Sequence, residues 1–338
     1  MVHISEETSV LGNDFYRDET GRRFHPLPAI VIESLSKVYR GRIRPAIDSL
    51  TLEVDRGEFF GFLGPNGAGK TTTIKILMTL LKATSGRAEV AGYDVANQPL
   101  QAMGQVGFMP ENPGFYPGLT GRRHLRYWAS LYGLNRSGLD QRIQEVFSEV
   151  GLAEATEVKA KAYSLGMKRR LALAGALLAD PPILILDEPS HGLDPQGMAF
   201  VRFALQELHH QGRTIFLSSH LLGEVEKLCT KVRILNRGKL IKVGTPREIT
   251  QATGNSKRTL EIETKGVDSN IVEKLRKVVG VTSVDLQGTT LRVSGSMSDE
   301  LVADINRQLV DAEVLLLSSR RLEHSLEEAF LELTGDRS

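Results

Sequence analysis

Three absences limit what this chain of 338 residues can be. It contains a single cysteine, Cys229, so no disulfide can form within the chain, which suits a reducing compartment. No apolar run approaches the roughly 20 residues that a membrane-spanning helix needs. The first residues also lack the basic and then apolar pattern of a signal peptide. We therefore expect a cytoplasmic protein that relies on another chain for any step in a membrane.

An excess of one charge is missing as well. The chain has 42 Lys and Arg against 41 Asp and Glu, a formal net charge of +1. Such a balance provides no overall field to hold nucleic acid or an anionic membrane. The hydrophobic share of 41% and the charged share of 25% are ordinary for a globular protein. We expect two or three domains with cores of their own, and no nucleic-acid partner.

A complete phosphate-binding loop is present. Residues 64–71 match the pattern G-x-x-x-x-G-K-[ST] at every fixed position. An apolar, strand-like run from Phe59 to Leu63 precedes the loop, and a helix-like run from Thr72 to Leu81 follows it. Glycines let backbone N–H groups approach phosphate oxygens, and the helix points its positive end at the same phosphates. We therefore predict that the chain binds a nucleoside triphosphate.

The residues of this loop have separate predicted tasks. Lys70 supplies a point charge to the phosphates, and the Thr71 hydroxyl ligates Mg²⁺. The predicted nucleotide contacts of the loop are Gly64, Pro65, Asn66, Gly67, Ala68, Gly69, Lys70, Thr71 and Thr72.

A second motif, which is acidic, supplies the other groups that hydrolysis needs. The apolar run Ile183 to Leu186 predicts a buried strand that ends in Asp187 and Glu188. Ligands of open α/β sheets bind at the carboxyl ends of strands. Two solvated acids at a strand end would show the same pattern, but beside a phosphate loop we predict that Asp187 holds Mg²⁺. Glu188 is then the general base that polarises the attacking water.

The remaining patterns divide the chain. We predict a flexible extension over residues 1–28 and an α/β domain with a mainly parallel sheet over 29–252. Apolar spacing near 3.6 predicts a helical insertion at about 114–175. A linker at 253–256 leads to a second domain over 257–338.

The second domain shows the order strand, helix, strand, strand, helix, strand, which is the ferredoxin-like unit. From Asn255 onward it contains 11 basic and 15 acidic residues. This acidic excess, and the lack of interleaved aromatic residues on its strands, argue against RNA binding. An amphipathic helix from Leu322 to Leu333 is predicted at its end.

These motifs and their order resemble the ATP-binding cassette (ABC) ATPases, over about residues 30 to 250. The resemblance implies a P-loop NTPase fold of the α/β class, with ATP and Mg²⁺ as ligands. It implies that Tyr39 stacks on adenine, although a tyrosine near a strand end is also common for other reasons. Glu111 stands where the family has the Q-loop glutamine, and the resemblance implies that it ligates Mg²⁺ or its water. His220 matches the switch histidine, which contacts the γ-phosphate.

The signature motif of the family is present in altered form, in the segment Tyr163-Ser164-Leu165-Gly166-Met167. The resemblance implies that Ser164 and Gly166 cap the γ-phosphate of ATP held by a second protomer. Asp194 matches the D-loop, which acts across the same dimer. His191 stands where a small polar residue is usual, and its effect stays open.

The resemblance also implies partners. One phosphate loop and one signature imply a head-to-tail homodimer that encloses two ATP. The helical segment Phe115 to Tyr132 resembles the surface that docks on a separate transmembrane permease at the cytoplasmic face of the membrane. The tail Ser325 to Thr334 resembles subunits of ABC-2-type exporters. A soluble ABC protein that acts on ribosomes or other macromolecules, and a binding module without hydrolysis, are the alternatives.

Overall fold

The computed structural model describes residues 27–134, 137–253, 258–322 and 325–335, together with two short strands before them. The chain divides into two compact units, Met1–Val243 and Gly244–Ser338. In the predicted flexible extension, strands β1 (Tyr16–Arg17) and β2 (Arg23–Phe24) pair antiparallel. The rest of that extension up to residue 26 lies outside the described residues.

The first unit contains ten further strands and seven α-helices among its described residues. The strands are β3 (Ile30–Lys37), β4 (Ile47–Val54), β5 (Phe59–Leu63), β6 (Ser85–Val90), β7 (Tyr93–Asp94), β8 (Val106–Met109), β9 (Ile183–Asp187), β10 (Thr214–Ser219), β11 (Lys231–Asn236) and β12 (Lys239–Gly244). The helices are α1 (Lys70–Leu77), α2 (Pro99–Met103), α3 (Gly121–Leu131), α4 (Leu139–Glu149), α5 (Leu165–Leu177), α6 (Pro195–His210) and α7 (Leu222–Leu228).

The strands that carry the site form one six-stranded sheet in the order β12-β11-β5-β10-β9-β8. The pairings of β5 with β10 and β11, and of β9 with β10 and β8, are parallel. Every residue of β5, β9 and β10 is buried, as expected for parallel strands that are covered on both faces. Their carboxyl ends therefore meet at one edge, where the phosphate loop and Glu188 begin.

The prediction of a mainly parallel sheet is incomplete. Strands β4, β3, β6 and β7 form a separate, antiparallel sheet in that order. In β4, exposed residues alternate with buried ones such as Leu50 and Leu52, because one face of this sheet packs on the core and the other meets water. The apolar runs predicted the strands but not the sheet to which each belongs.

The predicted helical insertion at about 114–175 corresponds to helices α3, α4 and α5. Their inward faces bury apolar side chains that include Leu125, Ile143, Phe147 and Leu171. Two of these helices begin with a side-chain cap: the Thr120 hydroxyl accepts from the amide of Arg123, and the Ser164 hydroxyl accepts from the amide of Met167.

The second unit has the predicted ferredoxin-like order. After helix α8 (Pro246–Thr253) come β13 (Arg258–Lys265), α9 (Ser269–Arg276), β14 (Val281–Gln287), β15 (Thr290–Gly295), α10 (Asp299–Asp311), β16 (Leu315–Leu322) and α11 (Leu326–Thr334). The sheet has the antiparallel order β14-β15-β13-β16. Helices α9 and α10 contribute Leu275, Ile305 and Leu309 to the core over this sheet.

The structure divides the chain earlier than the predicted domain end at residue 252. Helix α8, which the sequence patterns did not predict, packs against α11 and so belongs to the second unit. Most of the predicted linker, residues 254–256, lies outside the described residues. Among the helices that are described, none is long and apolar enough to cross a membrane.

Candidate functional site

The phosphate loop connects β5 to α1 and leaves the start of this helix open. Gly69 occupies the N-cap position with a φ of 113°, and no side chain caps the helix. A β-carbon at Gly69 would lie 2.5 Å from the carbonyl oxygen of Ala46, so only glycine fits there. The first amide groups of α1 therefore remain available to an anion, which the helix dipole also favours.

Lys70 is buried at the centre of this loop. Its Nζ donates a hydrogen bond to the carbonyl oxygen of Gly64 at 2.6 Å and lies 3.9 Å from the Glu188 carboxylate. Burial lowers the pKa of Lys70, and the charges of Glu188, Asp187 and Glu111 oppose that shift. Three carboxylates therefore surround one ammonium group, so a triphosphate needs additional positive charge in order to bind here.

Asp187 ends strand β9 and is 2% exposed. Burial raises its pKa, and the nearby hydroxyls of Ser218 and Thr71 oppose that shift. Within the described part of the chain, the Asp187 Oδ1 atom has no hydrogen-bond partner. A buried carboxylate oxygen without a partner, beside a threonine hydroxyl, is the kind of ligand that Mg²⁺ prefers, so these residues fit the predicted metal.

No group of three or more His, Cys, Asp or Glu side chains that could hold a metal ion occurs in the described ranges. A site made of Asp187, the Thr71 hydroxyl and phosphate oxygens does not need such a group. Glu111, the other predicted ligand, faces the same cleft.

Glu188 follows the strand in a backbone conformation that is uncommon for a side chain other than glycine, with a φ of 52°. Its amide donates to the carbonyl oxygen of Ser218 at 3.0 Å, which holds the residue in this conformation. The Glu188 Oε2 atom lies 2.7 Å from Nδ1 of His220 and accepts a further hydrogen bond, at 3.3 Å, from the His220 amide. His220, the predicted switch histidine, therefore orients the predicted general base.

A cleft of about 470 Å³ brings most of the predicted nucleotide residues together. Those that line it are Tyr39, Pro65, Asn66, Gly67, Ala68, Gly69, Lys70, Thr71, Thr72, Glu111, Glu188 and His220. The ring of Tyr39 is partly exposed, and its hydroxyl lies 3.3 Å from that of Thr72. Gly64 and Asp187 lie outside this lining; Gly64 contributes the carbonyl that holds Lys70.

The sequence patterns assigned no role to four residues of this region. Arg42, Ala46 and His191 line the cleft, and Ser218 faces Asp187. Ser218 precedes His220 by two residues, and this position is the only signal that indicated it. His191 lies in the segment that resembles the D-loop, where its effect was left open, and Arg42 and Ala46 lie on a loop without a pattern of its own.

The signature residues lie elsewhere on the same unit. Ser164, Gly166 and Asp194 line a second cavity of about 460 Å³, together with Leu165, Arg170, Gly192, Leu193, Gln196, Gly197 and Phe200. The Asp194 carboxylate caps helix α6 by accepting from the amide of Gly197 at 2.8 Å. Ser164 caps α5 in the same way, so both side chains have structural roles in the single protomer.

Arg169, on helix α5, contacts two loops of the nucleotide cleft. Its guanidinium is buried and donates to the carbonyl oxygens of Glu111 and, at 3.4 Å, of His191. Burial lowers the pKa of Arg169, and the charges of Glu111 and Glu188 oppose that shift. A helix of the signature region thus positions two loops of the nucleotide cleft.

The sequence profile of the ABC transporter family matches residues 47–191. The chain is 32% identical to the linearmycin resistance ATP-binding protein LnrL of Bacillus subtilis (strain 168), over 90% of this chain and 97% of that protein. The chain belongs to the ABC transporter family. The daunorubicin resistance ATP-binding protein DrrA3 of Streptomyces coeruleorubidus (33%) and the bacitracin transport ATP-binding protein BcrA of Bacillus licheniformis (34%) also match about nine-tenths of this ABC subunit and nearly all of their own length.

Solved structures agree with this assignment. An ATP-binding subunit of an ABC transporter is 33% identical, covers 67% of this chain and 93% of its own, and has a TM-score of 0.61. A dimeric cassette in a post-hydrolysis state with ADP and Pi is 23% identical, covers 64% of this chain and 98% of its own, and shares the fold with a TM-score of 0.59.

The predicted family, the fold and the ATPase class are therefore confirmed. This protein is the ATP-binding and ATP-hydrolysing subunit of an ABC exporter, and none of the relatives named above is a protein that acts on ribosomes. The roles of individual site residues stay predictions that the geometry supports.

Proposed function

We propose that two copies of this ABC subunit bind ATP and Mg²⁺ head to tail and drive a separate transmembrane permease. The observation that supports this most directly is the separation of the two halves of the site. Lys70 and Glu188 face one cavity, and Ser164 and Gly166 face another cavity of the same protomer. A phosphate held by Lys70 is then capped by the signature residues of a second molecule.

The chemical step follows from the residues around the cleft. Lys70 and the open amides of α1 would hold the phosphates, and Asp187 and Thr71 would hold Mg²⁺. The ion would supply positive charge to balance the three carboxylates near Lys70. Glu188, oriented by His220, accepts a proton from water while the water oxygen bonds to the γ-phosphorus. The bond from that phosphorus to the bridging oxygen breaks, and ADP and phosphate are released.

We infer that the exported cargo is a toxic small compound, of the kind against which resistance ATPases act. The resistance and transport proteins LnrL, DrrA3 and BcrA match both units of this chain, since they cover about 90% of it. The human phospholipid-transporting ATPase ABCA7 is 38% identical but matches 65% of this chain. Likeness over the full length, including the second unit, favours the resistance class. The chain would then attach to the cytoplasmic face of the membrane through its permease.

The test is co-purification from native membranes in a mild detergent. We expect a polytopic membrane protein in a stoichiometric amount with the tagged wild-type chain. Recovery of the chain without a membrane partner would contradict the proposed coupling and leave the ATPase chemistry unaffected.

A sensitivity assay then addresses the cargo. A strain without the gene should become sensitive to at least one compound of an antibiotic panel, and the wild-type gene should restore resistance. Complementation with the Glu188→Gln variant, which keeps the protein but removes hydrolysis, should fail. If the deletion strain has the same sensitivity as its parent to every compound, the resistance class is wrong.

A further inference from the structure

His191 is a residue of the nucleotide cleft for which the motifs provide no task. It follows the Glu188 turn on the loop between β9 and α6, and its side chain is exposed to the cleft. The nearest phosphate-handling groups on the same wall are Glu188 and His220. A second imidazole is therefore present where hydrolysis is expected to occur.

The backbone of His191 is held on both sides. Its amide donates to the carbonyl oxygen of Glu188 at 3.1 Å, and its own carbonyl accepts from the buried guanidinium of Arg169 at 3.4 Å. Arg169 also donates to the carbonyl of Glu111. These contacts fix the backbone of His191 beside the cleft, whereas its side chain is exposed.

The two imidazole rings pack against each other. Their centroids are 5.3 Å apart with an angle of 58° between the planes. Nδ1 of His220 is occupied by the Glu188 carboxylate. By contrast, no hydrogen bond to the imidazole of His191 is found among the described residues. An imidazole always carries at least one N–H, so His191 offers a donor to whatever binds in the cleft.

We propose that His191 is a further nucleotide-contacting residue, whose imidazole N–H donates a hydrogen bond to the γ-phosphate of ATP beside His220. ADP lacks this phosphate, so the contact would distinguish the two nucleotides. The inference rests on ATP binding by this cleft and is independent of what the permease exports.

Two substitutions at His191 test the N–H donor and the aromatic ring independently. His191→Phe keeps an aromatic ring against His220 but has no donor, whereas His191→Gln keeps a donor without the ring. The full-length chain is titrated with the β,γ-imido analogue of ATP and, separately, with ADP, both with Mg²⁺. We expect His191→Phe to reduce the preference for the analogue over ADP by about tenfold, with ADP affinity unchanged. His191→Gln should retain most of the preference.

His210→Phe is the matched control, because His210 is an exposed histidine on α6 that does not line the cleft. It should leave both affinities unchanged. An unaltered preference in His191→Phe would overturn the inference. An equal loss for ADP and the analogue, or an equal loss in both His191 variants, would overturn it as well. A wild-type chain with no preference for the analogue would overturn the inference too. If the wild-type chain binds neither nucleotide, ATP binding by this cleft is wrong, and this outcome is distinct from failure of His191 alone.

Discussion

The start of helix α1 in the first unit differs from the helix starts of the second unit, and the difference distinguishes a ligand site from a structural cap. In the second unit, side chains of Asp268, Ser298 and Ser325 cap α9, α10 and α11 by accepting from backbone amides. In the first unit, α1 begins at Gly69 with no side-chain cap. Capping satisfies amides that would otherwise lack a partner, so an uncapped start at a buried position indicates that a ligand takes the place of the cap.

Carboxylates show the same contrast. In the second unit, Glu261 lies on the sheet between Arg292 and Arg320, whose hydrogen bonds lower its pKa. In the first unit, burial raises the pKa of Asp187, and one of its oxygens has no partner in the described ranges. Glu261 is therefore paired within the second unit, whereas Asp187 of the first unit keeps an oxygen that would be available to Mg²⁺.

The largest expected effect concerns hydrolysis. Glu188→Gln removes the general base but keeps a side chain of the same size beside His220. We expect kcat for ATP hydrolysis to fall by about a thousandfold, while ATP binding is retained. ATP should then trap a dimer, measurable by light scattering after gel filtration. A variant that stays monomeric with ATP and Mg²⁺ would contradict the head-to-tail arrangement.

Lys70→Ala tests the uncapped helix start directly. Loss of the charge at the phosphates should weaken ATP binding by about a hundredfold, as measured by fluorescence titration. Lys227→Ala, at an exposed lysine on α7, is the control and should bind as the wild type does. Unchanged affinity in the Lys70 variant would refute the role of this residue.

Ser325→Ala tests the capped start of helix α11. Ser325 and Glu328 form a reciprocal capping box at α11. Its loss should destabilise this helix by about 1 kcal/mol and make amide hydrogen exchange in α11 faster. ATP affinity should not change. Ser318→Ala, on the exposed part of β16, is the control and should leave amide exchange in α11 unchanged. A loss of ATP affinity in the Ser325 variant would contradict a purely structural role for this cap.

The smallest expected effect is a pH dependence of stability from His124. Its Nε2 accepts from the amide of Tyr116 at 2.9 Å and its Nδ1 lies 3.0 Å from the carbonyl oxygen of Thr120, so the buried ring is neutral with the proton on Nδ1. Burial lowers its pKa below the ordinary value of 6.5. Its stabilising contribution is therefore complete above pH 6.5 and is lost as the pH falls towards the folded-state pKa.

The measurement is the Tm of wild type and His124→Gln between pH 8 and pH 5.5. The advantage of the wild type should shrink below pH 6.5. The exposed His210→Gln variant should follow the wild type throughout. A constant difference between wild type and His124→Gln would show that the ring does not titrate in this way.

Much of the site could be predicted because its motifs are contiguous and adjoin strands. The glycines before Lys70 and the acids after Ile183–Leu186 each follow an apolar strand, and this order places both motifs at the carboxyl edge of a sheet. Arg42 could not be predicted in the same way, because it reaches the cleft from a loop whose path depends on packing. His191 lies in the segment that resembles the D-loop, but the motif assigns no role to it. Helix α8 was missed because its contact with α11 joins segments that are far apart in the chain.

The sequence by itself determined the family, the ferredoxin-like order of the second unit, and the positions of the phosphate loop and of the acidic motif for which roles in hydrolysis are predicted. These follow from local patterns, since glycine spacing, apolar periodicity and strand ends act over a few residues. Only the tertiary structure decided that β3, β4, β6 and β7 form a separate antiparallel sheet, that Ser164 and Lys70 line different cavities, and that the His191 ring packs on His220. The physical reason is that these relations arise from packing between segments that are far apart in the chain, and such packing leaves no local sequence pattern.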